Sequence, residues 1–103
     1  VVFITAAGVK QADRIADVLV RKRLAACVNI IKGVTSVFRW QGKIDRAQET
    51  LLIVKTTAGR FRALSRAVTA VHSYEVPEII AVPIAAGLKP YLEWIDATVG
   101  NAV

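Results

Sequence analysis

Ala26-Cys27-Val28-Asn29-Ile30-Ile31, Val34-Thr35-Ser36-Val37-Phe38-Arg39-Trp40, Gln41-Gly42 and Leu51-Leu52-Ile53-Val54 decide the fold of this 103-residue chain. The apolar, β-branched runs predict two long strands. Gly33 interrupts the first strand and reads as a bulge or bend, not an end. Gln41-Gly42 has the composition of a tight hairpin turn. The return strand is expected over about residues 43–57. A long hairpin therefore lies in the middle of the chain.

Each side of the hairpin carries a strand and a helix. Val1-Val2-Phe3-Ile4-Thr5 reads as a short buried strand, broken by Gly8. Over residues 9–23, Ala12, Ile15, Ala16 and Leu19 recur at helical spacing, with Lys10, Asp13, Arg14 and Asp17 opposite. Arg21-Lys22-Arg23 at its end suits the helix dipole. A second helix is expected after Gly59. It carries Phe61, Leu64, Val68 and Val71 inward and Arg60, Arg62 and Arg66 away. Residues 79–84 read as a fourth strand. Pro77 disfavours helix for Val76 and sets an extended entry into it. Gly87 and Pro90 precede a short terminal helix, with Tyr91, Leu92, Trp94 and Ile95 on its apolar side.

The order is β-α-β-β-α-β plus a terminal helix. This is the α+β, ferredoxin-like sandwich: four antiparallel strands with two helices on one face. One domain over 1–103 is expected at this length. The strands at 1–4, 51–54 and 79–82 are apolar at consecutive positions, where a half-wet sheet would alternate. Two helices cover one face only, so the other face is expected to pack on another subunit.

Composition narrows the class. The longest apolar runs are five or six residues, too short to cross a bilayer. No signal-peptide pattern is present. A single cysteine makes no internal disulfide, and a reducing compartment, the cytoplasm, is expected. The net charge is +6, with basic clusters at 21–23 and 60–66. Solvated helix faces are the ordinary explanation, and an acidic partner such as nucleic acid is the sharper one. An RNA-recognition domain shares the element order but needs base-stacking aromatics in its third strand. Glu49-Thr50-Leu51-Leu52-Ile53-Val54-Lys55 has none. No specific nucleic-acid partner is expected.

His72-Ser73-Tyr74-Glu75-Val76-Pro77-Glu78 holds the only histidine, one of two tyrosines and two of the eight acids. It sits at the mouth of the fourth strand, a usual place for a binding pocket. Cys27, His72, Glu75 and Glu78 are ligand types for a borderline or soft divalent cation. Their spacing argues against a dedicated structural site, because there is no CxxC or HxxxH. The plainer roles are a small buried thiol for Cys27 and a hydrogen-bonded rim imidazole for His72. Lys55 ends an apolar strand, and is either solvated or beside Glu78 in a pocket. Arg39 and Trp40 lie at the hairpin tip, facing solvent or an interface. Tyr74, Tyr91 and Trp94 suit packing better than a ligand cage. Nothing places a nucleophile or phosphate loop beside Glu75 and Glu78, so no enzyme is expected.

Together these residues resemble the divalent-cation-tolerance (CutA) family. The matching stretches are Arg23-Leu24-Ala25-Ala26-Cys27-Val28-Asn29-Ile30, Val34-Thr35-Ser36 with Trp40-Gln41-Gly42-Lys43, Lys55-Thr56-Thr57, the 72–79 block and Tyr91-Leu92-Glu93-Trp94. The resemblance implies a tight homotrimer and a cytoplasmic protein of tolerance to copper and other divalent cations. It also implies likeness to the trimeric PII signalling proteins, which carry ligands in clefts between subunits. Matched position by position, His72, Cys27, Glu75 and Glu78 are the candidate metal ligands. Lys55, Tyr74 and Trp40 are the candidate lining of an inter-subunit cleft, and His72 is the best single ligand. No cofactor is required, and copper or another divalent cation is the candidate ion. The alternative is a PII-like sensor binding a small metabolite through Lys55. A third reading is an assembly protein without a ligand. Two departures stand out: Ser73 replaces the family's usual proline, which would loosen that turn, and the strong positive charge is unusual in a family often acidic.

Overall fold

The computed structural model describes residues 1–100; Asn101 to Val103, the end of the expected domain, lie outside the described residues. The chain folds as β1 (Val2–Ala6), α1 (Val9–Arg21), β2 (Cys27–Trp40), β3 (Lys43–Lys55), α2 (Phe61–Val71), β4 (Ile79–Ala81) and α3 (Lys89–Val99). A single 3-10 turn, Ala58–Arg60, leads into α2. The sheet is antiparallel in the order β2-β3-β1-β4.

The central hairpin forms as its residues dictate. Trp40 pairs with Lys43 around Gln41 and Gly42, whose φ angles are +50° and +80°. Two left-handed residues give the turn whose twist matches the flanking strands. The bulge falls between Ile31 and Val34, with Gly33 at φ +74°. Beyond the bulge the hairpin is an arm. Val37, Phe38, Trp40 and Ile44 on it are all exposed, Ile44 at 69%.

α1 and α2 bury Ala12, Ile15, Leu19, Leu64 and Val68 against Val2, Ile4, Leu52 and Val54. Each fully buried Leu, Ile or Val here stabilises by roughly 1.5–3 kcal/mol. α1 ends in a left-handed cap: Leu24 N–H donates to Leu19 O at 2.9 Å and Arg23 N–H to Val20 O at 3.1 Å. Arg23 itself holds φ +56°, unusual for a side chain with a Cβ. This cap turns the chain into β2, where Thr56 Oγ1 donates to Leu24 O at 2.7 Å and fastens the turn to the end of β3.

Three expectations change. The fourth strand stops at Ala81, with one further backbone pair between Val1 and Val82. Residues 83–88 continue without strand pairing and exposed. The terminal helix includes Pro90 in its first turn, where a missing N–H costs nothing. It buries Ile95 and Val99, while Tyr91 and Trp94 stack on each other at 5.5 Å and remain exposed. Arg60 does not point away. Its guanidinium donates to Val99 O at 2.8 Å and Gly100 O at 3.0 Å, closing the C-terminus of α3.

The sheet's other face is uncovered. The register puts Phe3, Leu51, Ile53 and Ile80 on it, away from both helices. Ile80 is 52% exposed, and Ile31 beside them 43%.

Candidate functional site

α2 ends at Val71, and His72 takes extended backbone as its cap. That turn aims the imidazole back at the end of β1. Nε2 of His72 lies 2.8 Å from Thr5 O, and Nδ1 lies 3.0 Å from the backbone N of Tyr74. A carbonyl needs a donor and an N–H needs an acceptor. The ring is therefore the neutral Nε2–H tautomer, assigned from its two partners. Both nitrogens are committed within the chain. The His72 and Tyr74 rings lie 4.7 Å apart, tilted by 46°.

Tyr74 carries the connection on. Its hydroxyl donates to Glu49 Oε2 on β3 at 2.7 Å. Burial, then the hydrogen bond to Glu49 and its charge, push the phenol up to about 12. It stays a neutral donor at ordinary pH. Ser73 Oγ donates to Gln11 Oε1 on α1 at 3.1 Å. Ser73 thus ties the loop to α1 by a hydrogen bond. The 72–74 turn joins α1, α2, β1 and β3 at one end of the sandwich.

The remaining candidates lie elsewhere. Cys27 is half-buried and pairs directly with Lys55, at the far end of β3. His72 sits at the level of Thr5, which pairs with Leu51. Four residues along β3 separate the two places, roughly 13 Å at about 3.3 Å per residue. Zinc or copper ligands must all come within about 2.0–2.3 Å of the ion. Cys27 and His72 of one chain cannot share one.

Within one chain His72, the expected best metal ligand, already has its Nδ1 lone pair accepting from Tyr74 N–H. Lys55 and Glu78 of one chain stand at opposite ends of the sheet. β4 starts opposite Ile4, so exposed Glu78 stands at the 72–74 end, whereas Lys55 lies beyond Val54 and Val2 at the other. Glu75 is exposed near Glu78 in sequence, and no group of three or more His, Cys, Asp or Glu gathers among the described residues. Trp40 is 49% exposed at the hairpin tip, twelve β3 positions from Lys55. Lys55, Tyr74 and Trp40 of one chain do not line one cleft.

Glu49, Gln11 and Thr5, the partners that fix Tyr74, Ser73 and His72, escaped the sequence reading. They lie 25, 62 and 67 positions away in the chain, where no local spacing links them.

Comparison with known proteins places this chain and its fold among relatives. The model of a family described as CutA1 divalent ion tolerance protein matches residues 1–98. The divalent-cation tolerance protein CutA of Thermus thermophilus is 51% identical over 100 residues, covering 97% of each chain. A solved structure of the Thermus thermophilus divalent cation tolerance protein superimposes with a TM-score of 0.94 at 50% identity over 96% of each chain. A structure from Archaeoglobus fulgidus, described as a periplasmic divalent cation tolerance protein CutA, gives 0.92 at 49% identity over 95% of each.

Proposed function

Because the chain belongs to the CutA1 divalent ion tolerance family, we propose that it acts in tolerance of copper or a similar divalent metal ion, as a homotrimer that binds the ion weakly. The observation that carries this reading is the family match from residue 1 to residue 98. The relatives are named for tolerance and not for a reaction, which favours a binding protein over an enzyme.

The trimer is supported by what one chain leaves uncovered. Phe3, Leu51, Ile53 and Ile80 form an apolar sheet face, and Val37, Phe38 and Ile44 extend along the hairpin arm. Burying a handful of such side chains, each worth roughly 1.5–3 kcal/mol, makes association close to obligatory. Light scattering at low micromolar concentration should give three times the 11.2 kDa chain mass. A stable folded monomer would contradict this.

With His72 occupied, Cys27 is the ligand we favour, joined by Glu75 and Glu78 of neighbouring chains. A thiolate suits a soft or borderline cation. The ammonium of Lys55, directly across the ladder from Cys27, opposes a second positive charge and keeps the affinity modest. The half-buried free thiol suits the cytoplasm. The PII-like metabolite sensor gains no observation from the geometry and is not carried further. Calorimetric titration with copper(II) at pH 7 should show saturable, micromolar or weaker binding. No saturable binding of copper, zinc or another divalent ion up to millimolar concentration would overturn the proposal.

A further inference from the structure

The charge of this chain sits mainly in one layer. The segments 9–23 and 61–71 hold seven of its fourteen basic residues but only two of its eight acids. On α1, Lys10, Arg14 and Arg21 fall on the side opposite the buried stripe of Ala12, Ile15 and Leu19. On α2, Arg62 and Arg66 fall opposite Leu64 and Val68 in the same way. All five are exposed. Both helices lie on one face of the sheet, so the two rows point outward on the same side, away from the apolar sheet face. The acids in this layer are Asp13 and Asp17, and Asp17 is engaged by Arg21 at 2.8 Å. Arg60, although in the same cluster by sequence, is taken by α3 and adds nothing here.

We propose that this outer helix face binds the phosphate backbone of duplex DNA without sequence preference. Four of the five outward cations are arginines, whose planar fork matches phosphate oxygens; Arg21 among them shares its Nε–H with Asp17. Helices packed side by side on a sheet stand about 10 Å apart, which spaces the two rows on the scale of a DNA groove. The outward side of α2 adds only Thr69 and Ala70, too short to read bases or to enter a bilayer. Neither helix exposes an aromatic ring for stacking single-stranded bases: Phe61, the aromatic on α2, packs against the core. Binding is then positional and electrostatic, with no base readout.

The test is fluorescence anisotropy with a labelled 20-base-pair DNA duplex and the full chain, at salt from 50 to 200 mM. The proposal expects micromolar affinity at the low end, falling steeply with salt. The double variant Arg62→Ala, Arg66→Ala should weaken binding at least tenfold at 50 mM and reduce the slope of log K against log salt by about two. Asp17→Asn should strengthen it. The control Lys32→Ala, Lys43→Ala on the hairpin should change binding less than twofold. Both α2 arginines are exposed, so circular dichroism should show the variant folded. No duplex binding at 50 mM, equal loss in the hairpin control, or binding of phosphatidylserine vesicles in preference to duplex would each overturn it.

Discussion

The backbone N–H of Tyr74 donates to Nδ1 of His72 at 3.0 Å, and that contact removes the lone pair a metal ion would use. With Nε2–H on Thr5 O at 2.8 Å, the only histidine is a rivet between the end of α2 and the end of β1. These two bonds hold the 72–74 turn against the end of β1.

His72→Ala leaves a carbonyl and an N–H without their partner. A cost of about 2 kcal/mol is expected. Urea unfolding checks it: a loss under 0.5 kcal/mol would show that water replaces both bonds.

Tyr74 gives a pH signature. Its pKa in the folded chain is raised to about 12, by burial first and then by Glu49. The unfolded value is about 10. A raised pKa stabilises the fold below pH 10, and this contribution is lost as pH climbs from about 10 to about 12. Tyr74→Phe should lose about 1 kcal/mol at pH 8 and lack that alkaline component. Parallel stability profiles for the two proteins from pH 8 to 12 would contradict the assignment.

Arg60→Ala should free the last turn of α3. Hydrogen exchange at the amides of 95–99 is expected to accelerate, with a global loss of about 1–2 kcal/mol. Arg60→Lys should restore little, because a point charge cannot span Val99 O and Gly100 O as the fork does. Unchanged exchange in Arg60→Ala would remove the cap from the account.

Arg23→Gly should stabilise the protein. The left-handed conformation costs a residue with a Cβ about 1–2 kcal/mol, and glycine's extra unfolded-state entropy offsets about half. A net gain of about 0.5–1 kcal/mol in urea unfolding is expected. A loss of stability would mean that the exposed Arg23 side chain makes a compensating interaction.

The central hairpin was legible because its signals are local. Gly33, Gln41-Gly42 and two β-branched runs fix a bulge, a turn and a register without reference to the rest of the chain. The fourth strand was legible in kind but not in length. An apolar run over 79–84 shows that a segment can pair, not where the pairing stops. Arg60 illustrates the same limit. Its neighbours Arg62 and Arg66 do face solvent, and helical spacing cannot foresee a helix terminus 39 residues away. The 72–78 block was legible as a polar segment leading into the fourth strand. Its chemistry was not, because the atoms that occupy His72 come from Thr5 and from the backbone of Tyr74. Ligand types along a sequence indicate which lone pairs exist, and only the fold shows which remain free.

The most direct test of the account is copper(II) titration, followed by calorimetry, of three proteins: the unchanged chain, Cys27→Ser and His72→Gln. The account predicts that Cys27→Ser weakens copper binding at least tenfold, while His72→Gln binds within twofold of the unchanged chain. Loss of binding in His72→Gln with Cys27→Ser unaffected would contradict it and return the imidazole to the metal.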